Sequence, residues 1–337
     1  MITTICNNIS ETIGNTPIVK INHPLIPDGK KLFVKLEQFN PNLSIKDRTA
    51  LGLIHEAFKS GRLKKGGTVI ESTSGNLGKS LAMLGASMGF NVVIVVDPKV
   101  SSSALNWFKA FGATVILVTE KDSNGGYQST RIEKVKEYLL KKPDTYWPNQ
   151  YENSDNPTYH YNTTSKEVAS MNVDLISGAI STGGHMSGIA NGVKQLNDTI
   201  LTVACDVVGS AILNKKFKPY LVNGAGLSWR SSNLDETNID FTENISDEEA
   251  FTICHEMAKS NGILLGGSSG LSIMGALIGL QLDYVNSAMA ICPDTGVNYL
   301  DQFYDENWLE ENNVNILSSE ILHDRISTYA YHWSNKE

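Results

Sequence analysis

Short strand-like runs alternate with helix-like segments along much of this chain, and that alternation restricts the folds it can adopt. The runs at 68–72 (TVIES), 91–96 (NVVIVV) and 113–118 (ATVILV) are rich in β-branched residues, and helical patterns at 77–89 and 102–112 separate them. Strands connected by helices at this spacing form parallel βαβ units. In each run valine and isoleucine follow one another instead of alternating with polar residues, so we expect helices to cover both faces of the sheet.

The same alternation restarts in the second half of the chain. Strands are predicted at 173–181, 199–207 and 287–293, with helices at 183–196 and 246–262. The helix at 246–262 begins with a serine N-cap and acidic residues, and a glycine follows its end. A chain of 337 residues is long for a single core. We therefore predict an α/β protein with two three-layer α/β/α units, mostly parallel sheets and a site between the units.

The composition argues against several classes of function. The net charge of −8 and the pI near 5.4 disfavour general nucleic-acid binding and a basic membrane-surface role, but leave room for an anionic substrate. The uncharged stretch at 260–282 is interrupted by GGSSG, so we expect a strand, a turn and a helix there rather than a membrane span. The first ten residues lack the features of a signal peptide. We expect no metal site and a reduced, cytoplasmic compartment, because no metal-binding spacing relates Cys6, Cys205, Cys254 and Cys292.

Glycines and small polar residues fill three predicted junctions, at 72–76 (STSGN), 181–185 (STGGH) and 266–270 (GGSSG). Glycines let an anion approach the unpaired N–H groups at a helix N-terminus, and hydroxyl groups add donors. One such loop is often a plain turn, and the dinucleotide and P-loop glycine motifs are absent from the chain. Lys46 follows an Asn-Pro-Asn turn signal. An isolated lysine is usually a surface charge, but with three such loops it suggests an anionic cofactor and a lysine free to form a Schiff base.

Six motifs carry a resemblance to a known family. The chain resembles the cysteine synthase family of fold type II pyridoxal-phosphate enzymes, which are related to the tryptophan synthase β subunit. In the family's order, the motifs are IGNTPIVKI (13–21), FVKLEQFNPNLSIKDRTA (33–50), ESTSGNLG (71–78), STGGHMSG (181–188), GGSSG (266–270) and PDTGVNYL (293–300). We expect a larger cofactor-binding domain from 1–39 and 147–325, a smaller mobile domain at 40–146, and a tail at 326–337.

The resemblance implies a role for each loop and for the lysine. Lys46 would be the catalytic residue and would bind pyridoxal 5′-phosphate covalently, and Asn76 would contact the cofactor's 3′ oxygen. Ser268 would face the pyridine nitrogen. The cofactor's phosphate would lie against Ser181, Thr182, Gly183, Gly184 and His185. The substrate would bind at Ser72, Thr73, Ser74, Gly75 and Gly224.

Ser268 also indicates the type of reaction. A hydroxyl group does not keep the pyridine nitrogen protonated as a carboxylate would, so the cofactor is a weaker electron sink. This favours elimination at Cβ and disfavours transamination.

The chain also departs from ordinary cysteine synthases. Leu77 replaces a threonine, Ser181 replaces the first glycine of the phosphate loop, and His185 replaces its last threonine. The stretches at 124–135 and 146–161 are similar to synthases of the staphyloferrin B type. Those enzymes make N-(2-amino-2-carboxyethyl)-L-glutamate from O-phospho-L-serine and L-glutamate.

This second resemblance implies that Arg131, Tyr151 and Ser181 define the substrate site. A guanidinium group suits the extra negative charge of phosphoserine and glutamate, although Arg131 could also lie on a solvated helix surface. The implied function is β-replacement for 2,3-diaminopropionate and siderophore-type biosynthesis, carried out by a homodimer on small amino acids. The alternatives are a cysteine synthase, a cysteine lyase that releases sulfide, and a non-catalytic regulatory homologue.

Overall fold

The structure is a computed structural model that describes residues 5–121, 126–214 and 216–335. The described strands, in chain order, are β1 (Ile18–Ile21), β2 (Lys31–Leu36), β3 (Thr68–Ser72), β4 (Asn91–Val96), β5 (Thr114–Leu117), β6 (Thr145–Tyr146), β7 (Leu175–Ala179), β8 (Leu201–Val207), β9 (Phe241–Ile245) and β10 (Ser287–Cys292). They form a six-stranded sheet, in the order β1-β2-β10-β7-β8-β9, and a four-stranded sheet, in the order β5-β4-β3-β6. Only the β1–β2 pair is antiparallel among these described pairs. The predicted α/β fold with mostly parallel sheets is confirmed.

Helices connect and cover these strands. In the described ranges the α-helices are α1 (Lys46–Lys59), α2 (Asn76–Met88), α3 (Ser102–Ala110), α4 (Gln128–Lys141), α5 (Asp155–Asn162), α6 (Thr164–Ala169), α7 (Gly184–Leu196), α8 (Asp247–Asn261), α9 (Gly267–Gly279), α10 (Glu306–Glu311) and α11 (Ser319–Ser334). Each sheet has its own hydrophobic core, and the larger core lies between the six-stranded sheet and helices such as α8 and α9. Burial of this apolar surface is the main driving force for folding.

The helix predicted at 246–262 shows why local sequence signals are informative. The Ser246 hydroxyl accepts a hydrogen bond from the backbone N–H of Glu249 (3.3 Å), and the Glu249 carboxylate accepts one from the Ser246 N–H (2.8 Å). This reciprocal pair is a capping box, which satisfies two N–H groups that a helix leaves unpaired. At the other end, Gly262 ends the helix with a left-handed φ of 66°.

The expectation of a strand and a turn before the third glycine-rich loop is wrong. Leu265 forms only an isolated bridge with Thr295, and GGSSG provides the N-cap and the first turn of α9. The glycines of this loop serve helix packing, because a Cβ on Gly270 would lie 2.1 Å from the backbone oxygen of Ala250 in α8. All residues of α9 are buried, which explains their apolar composition. Among the described residues, no helix combines the length and the apolar character needed to cross a membrane.

The C-terminal helix packs on the larger core. Ile326 and Trp333 of α11 are buried, and the Trp333 ring stacks on Phe241 with a centroid distance of 4.6 Å. The Trp333 indole N–H also donates to Glu243 at 2.8 Å. The expected boundary after residue 325 therefore falls inside α11, and residues up to 334 continue the helix.

Candidate active site

Nine of the predicted site residues meet where parallel strands of both sheets end. One cavity is lined by segments that follow β3, β7 and β10, and by the start of α1. Of the predicted residues, those lining it are Lys46, Thr73, Gly75, Asn76, Tyr151, Ser181, Thr182, Gly224 and Ser268. The carboxyl ends of parallel strands are the usual place for a ligand site in this kind of fold.

Lys46 is the first residue of α1, and its side chain lines this cavity. The backbone N–H of Ile45 donates to Pro293 (2.8 Å), and the N–H of Lys46 donates to the hydroxyl of Ser44 (3.1 Å). Burial lowers the pKa of the Lys46 amine to about 8, and the nearby Asp294 carboxyl opposes that shift. A substantial fraction of the amine is therefore unprotonated near pH 8.

The two residues after Lys46 anchor the start of α1. The buried Asp47 carboxyl accepts from the N–H of Asn42 at 2.7 Å, and burial raises its pKa to about 6. The buried Arg48 guanidinium pairs with Glu37 at 2.7 Å and with Glu167 at 2.6 Å. Removing one member of a buried ion pair leaves an uncompensated charge, so these contacts fix the first turn of α1, which carries Lys46.

Asn76, the first residue of α2, contacts a carboxyl group that our sequence reasoning missed. Its side-chain amide donates to Asp294 Oδ2 at 2.7 Å, and the Tyr299 hydroxyl donates to the same oxygen at 2.7 Å. Asp294 is 2% exposed, and its Oδ1 has no hydrogen-bond partner among the described residues. Burial raises the pKa of Asp294, while the bonds from Tyr299 and Asn76 oppose the shift. The available signal was an acidic residue directly after the apolar strand β10 and Pro293.

The loop before α2 has an open face toward the cavity. Gly75 is the N-cap of α2, and a Cβ placed on it would meet nothing within 4 Å. The Thr73 hydroxyl accepts from the Gly75 N–H at 3.4 Å, whereas the Ser74 hydroxyl points to Arg131. Ser72 is buried at the end of β3, where its N–H donates to the Glu71 carboxylate at 2.9 Å. Ser72 and Ser74 therefore do not line the active-site cavity.

The loop before α7 requires its two glycines. Gly183 has a φ of 80°, and a Cβ built on it would lie 2.5 Å from the Leu234 backbone. A Cβ on Gly184 would lie 2.2 Å from Asn156 Oδ1, a buried oxygen without a partner in the described structure. The loop therefore holds the N-terminus of α7 close to these neighbours while its first N–H groups have no acceptor within the helix.

His185 and Ser268 are buried beside these loops. His185 is 6% exposed, and its Nε2 has no hydrogen-bond partner among the described residues. Burial and the charge of Lys46 lower the pKa of His185 to about 3, so its imidazole is neutral at physiological pH. Ser268 is 1% exposed, and its hydroxyl oxygen is 3.6 Å from a Cβ built on Gly224.

Arg131 and Tyr151 lie near each other, but of the two only Tyr151 lines the active-site cavity, and Arg131 lines the cavity that adjoins it. Arg131 Nη1 donates to the Ser74 hydroxyl (2.7 Å) and pairs with Asp97 (3.1 Å). The Tyr151 ring lies edge-on to Trp229 with a centroid distance of 5.2 Å. Burial raises the pKa of Tyr151 to about 12 and the charge of Arg131 opposes this, so its phenol remains protonated.

Ser181 lines the active-site cavity, and residues 128–135 of the first distinctive stretch belong to α4. The Ser181 hydroxyl donates to the Gly226 carbonyl at 3.3 Å. Residues 124 and 125, part of the distinctive stretch at 124–135, lie outside the described residues.

Comparison with known proteins identifies the family. The model of the pyridoxal-phosphate dependent enzyme family matches residues 9–288, so the chain belongs to this family. It is a fold type II enzyme of the cysteine synthase and cystathionine β-synthase type, and it uses pyridoxal 5′-phosphate.

Three solved structures illustrate the range of its relatives. A cysteine synthase from Entamoeba histolytica is 30% identical with a TM-score of 0.86, covering 96% of each chain. A hydrogen sulfide-producing enzyme from Fusobacterium nucleatum is 32% identical with a TM-score of 0.82, covering 87% of this chain and 98% of its own. An O-ureido-L-serine synthase is 28% identical with a TM-score of 0.83, covering 94% of this chain and 99% of its own. The chain is thus a cysteine synthase-like or O-ureido-serine synthase-like β-replacement enzyme.

Proposed function

We propose that the enzyme joins O-phospho-L-serine and L-glutamate to give N-(2-amino-2-carboxyethyl)-L-glutamate and phosphate. The observation that carries this proposal is Arg131, which is 12% exposed and donates to Ser74 in the substrate loop. Arg131 lines a cavity that adjoins the active-site cavity, and its Nε has no hydrogen-bond partner among the described residues, so the guanidinium is not saturated where an anionic substrate would approach. Sulfide needs no such group, whereas phosphate and carboxylate accept from guanidinium in a directed way.

The residues around the cavity fit the cofactor. The N-terminus of α7, which follows Ser181 and Thr182 in the cavity wall, suits a phosphate group. The orphaned Nε2 of His185 is a buried polar atom in the first turn of the same helix. We assign Lys46 as the residue that binds the cofactor covalently, and Asn76 as a ring contact. When bound, pyridoxal phosphate supplies an electron sink that weakens the Cα–H bond and the bond from Cβ to its leaving group.

Lys46 would move the proton during the reaction. An amine with a pKa of about 8 can accept the Cα proton near neutral pH and later return it. Phosphate leaves Cβ with the bonding electron pair, and the α-amine of glutamate forms the new C–N bond there and loses a proton. The Thr73 hydroxyl and the backbone N–H of Asn76, both from residues that line the cavity, would hold the substrate's α-carboxylate meanwhile.

Arg131, Tyr151 and Ser181 would select the substrates. Asp97 occupies one side of the Arg131 guanidinium, so the pair is nearly neutral until the substrate's anion arrives. Tyr151 stays protonated and therefore can donate a hydrogen bond. The Ser181 side chain narrows the cavity where a glycine would leave space for a small nucleophile.

An ordinary cysteine synthase, or a lyase that releases sulfide from cysteine, is the second candidate. It is favoured by the 30% identity to a cysteine synthase and the 32% identity to a hydrogen sulfide-producing enzyme. Both candidates use the same Lys46 chemistry and differ in the group that reacts at Cβ.

We also propose a pathway, a compartment, an oligomeric state and a domain movement for the enzyme. The product would feed 2,3-diaminopropionate and siderophore-type biosynthesis in the cytoplasm, and the enzyme would act as a homodimer. The smaller unit at 40–146, which carries the loop before α2, would move toward the larger unit when substrate binds.

A substrate matrix tests the proposed function. Purified holoenzyme is mixed with phosphoserine, acetylserine or cysteine, each with glutamate, sulfide or water, and the products are identified by mass spectrometry. We expect the highest rate for phosphoserine with glutamate. Faster formation of cysteine from acetylserine and sulfide would instead establish the second candidate.

A further inference from the structure

A second, polar cavity adjoins the active-site cavity. The two cavities share Gly75, Asn76 and Gly224 in their walls. Four charged residues line the second cavity within the described chain: Lys79, Lys99 and Arg131 are cationic and Asp97 is anionic. Because Asp97 pairs with Arg131, the net positive charge of these four residues comes from the two lysines.

Lys79 is buried although it carries a charge. It lies one helical turn after Asn76 on the same face of α2 and is 4% exposed. Its Nζ donates to Asn298 Oδ1 at 3.0 Å and lies 5.0 Å from the centre of the Trp107 ring. Among the described residues, no carboxylate forms a salt bridge with it. Burial lowers the pKa of Lys79, and the charge of Asp294 only opposes that shift.

Asn298 supplies a second unsatisfied group at the same place. Its Nδ2 is buried and has no hydrogen-bond partner in the described chain. A buried ammonium without a carboxylate and a buried amide donor without an acceptor are both unfavourable. One carboxylate in the cavity would accept hydrogen bonds from Lys79 and Asn298 and satisfy both groups.

We infer that this cavity is the subsite for the side-chain carboxylate of the acceptor amino acid, with Lys79 as its anion-binding residue. The inference rests on the proposed function, because it requires an acceptor with a second acidic group. Lys99, exposed at the edge of the cavity, adds positive charge along the approach. The phosphate of the donor is another anion with the same chemistry, so the experiment must separate the two sources.

The test compares Lys79→Met with Lys136→Met in the holoenzyme. Lys136 is exposed on α4, so its substitution also removes one lysine charge but leaves the cavity unchanged. We expect the KM for glutamate to rise at least about tenfold more than the KM for phosphoserine in Lys79→Met, since a hydrogen bond to a charged group is lost. The preference of the wild type for glutamate over glutamine should fall by a similar factor, and Asn298→Ala should shift it in the same direction.

Direct binding separates this inference from the proposed function. Calorimetric titration of L-glutamate into each holoenzyme needs no turnover, and we expect Lys79→Met to lose at least about tenfold in affinity relative to Lys136→Met. A wild type that binds glutamate but does not couple it would refute the proposed function and leave the subsite supported. Equal affinities in the two variants, or a rise confined to the KM for phosphoserine, would overturn the subsite.

Discussion

Replacing Arg131 by glutamine should remove most of the coupling activity while the cofactor remains bound. The guanidinium contacts the loop before α2 through Ser74 at 2.7 Å, and the side chains of Arg131 and Asp97 are only 12% and 10% exposed. Truncating one partner of a buried, hydrogen-bonded charge pair across a binding interface, here the proposed pair of Arg131 with the substrate's anion, typically costs about 2–5 kcal/mol. That range corresponds to a loss of about thirtyfold to several-thousandfold in kcat/KM.

Part of that cost arises because Asp97 would be left buried and unpaired. Two further variants separate this effect from substrate recognition. Arg131→Lys keeps the charge but loses the planar fork, so it should recover only part of the activity. Asp97→Asn removes the competing carboxylate, so it should not weaken the binding of phosphoserine.

The assay follows formation of the glutamate adduct by mass spectrometry under kcat/KM conditions, with the cofactor's absorbance as a check on the site. If Arg131→Gln forms the adduct within about threefold of the wild type, the recognition role of Arg131 is refuted. A parallel loss of cofactor absorbance would show that Arg131 instead supports the structure of the site.

Three further predictions concern other parts of the site. Lys46→Ala should abolish the visible absorbance of covalently bound cofactor, measured after reconstitution, and a coloured variant would exclude Lys46 as the attachment residue. Ser181→Gly should raise the rate with sulfide relative to glutamate, measured on one donor, because it removes the side chain that narrows the cavity. Burial raises the pKa of Glu71 from 4.5 to about 7, so its stabilising contribution is present below pH 4.5 and is lost as the pH rises through about 7. Urea titrations of the apoenzyme should therefore show a smaller loss of unfolding free energy over that pH range in Glu71→Gln than in the wild type.

Local signals predicted much of the fold. The strands at 68–72 and 91–96 have the predicted bounds. A strand buried on both faces carries adjacent β-branched residues, and these are visible in the sequence. The helix after Ser246 could be predicted because its cap lies within four residues of sequence. The insertion of β10 between β2 and β7 could not, since strand order depends on pairings between distant segments.

The candidate site could likewise be predicted only where its signals are local in the sequence. Loops rich in glycine and hydroxyl groups indicate anion binding wherever they occur, so the Ser181–His185 loop was visible in the sequence. The bond from Asn76 to Asp294 joins residues 218 positions apart, and no local pattern reports it. The burial of Lys79 likewise depends on Asn298 and on Trp107 of another helix.

A competition between nucleophiles tests the central claim most directly. Holoenzyme is given O-phospho-L-serine with equal concentrations of L-glutamate and sulfide, and both products and released phosphate are quantified in the same sample. The account predicts that N-(2-amino-2-carboxyethyl)-L-glutamate is the main product, with one phosphate released for each adduct formed. Predominant formation of cysteine would contradict it and would identify the enzyme as a cysteine synthase.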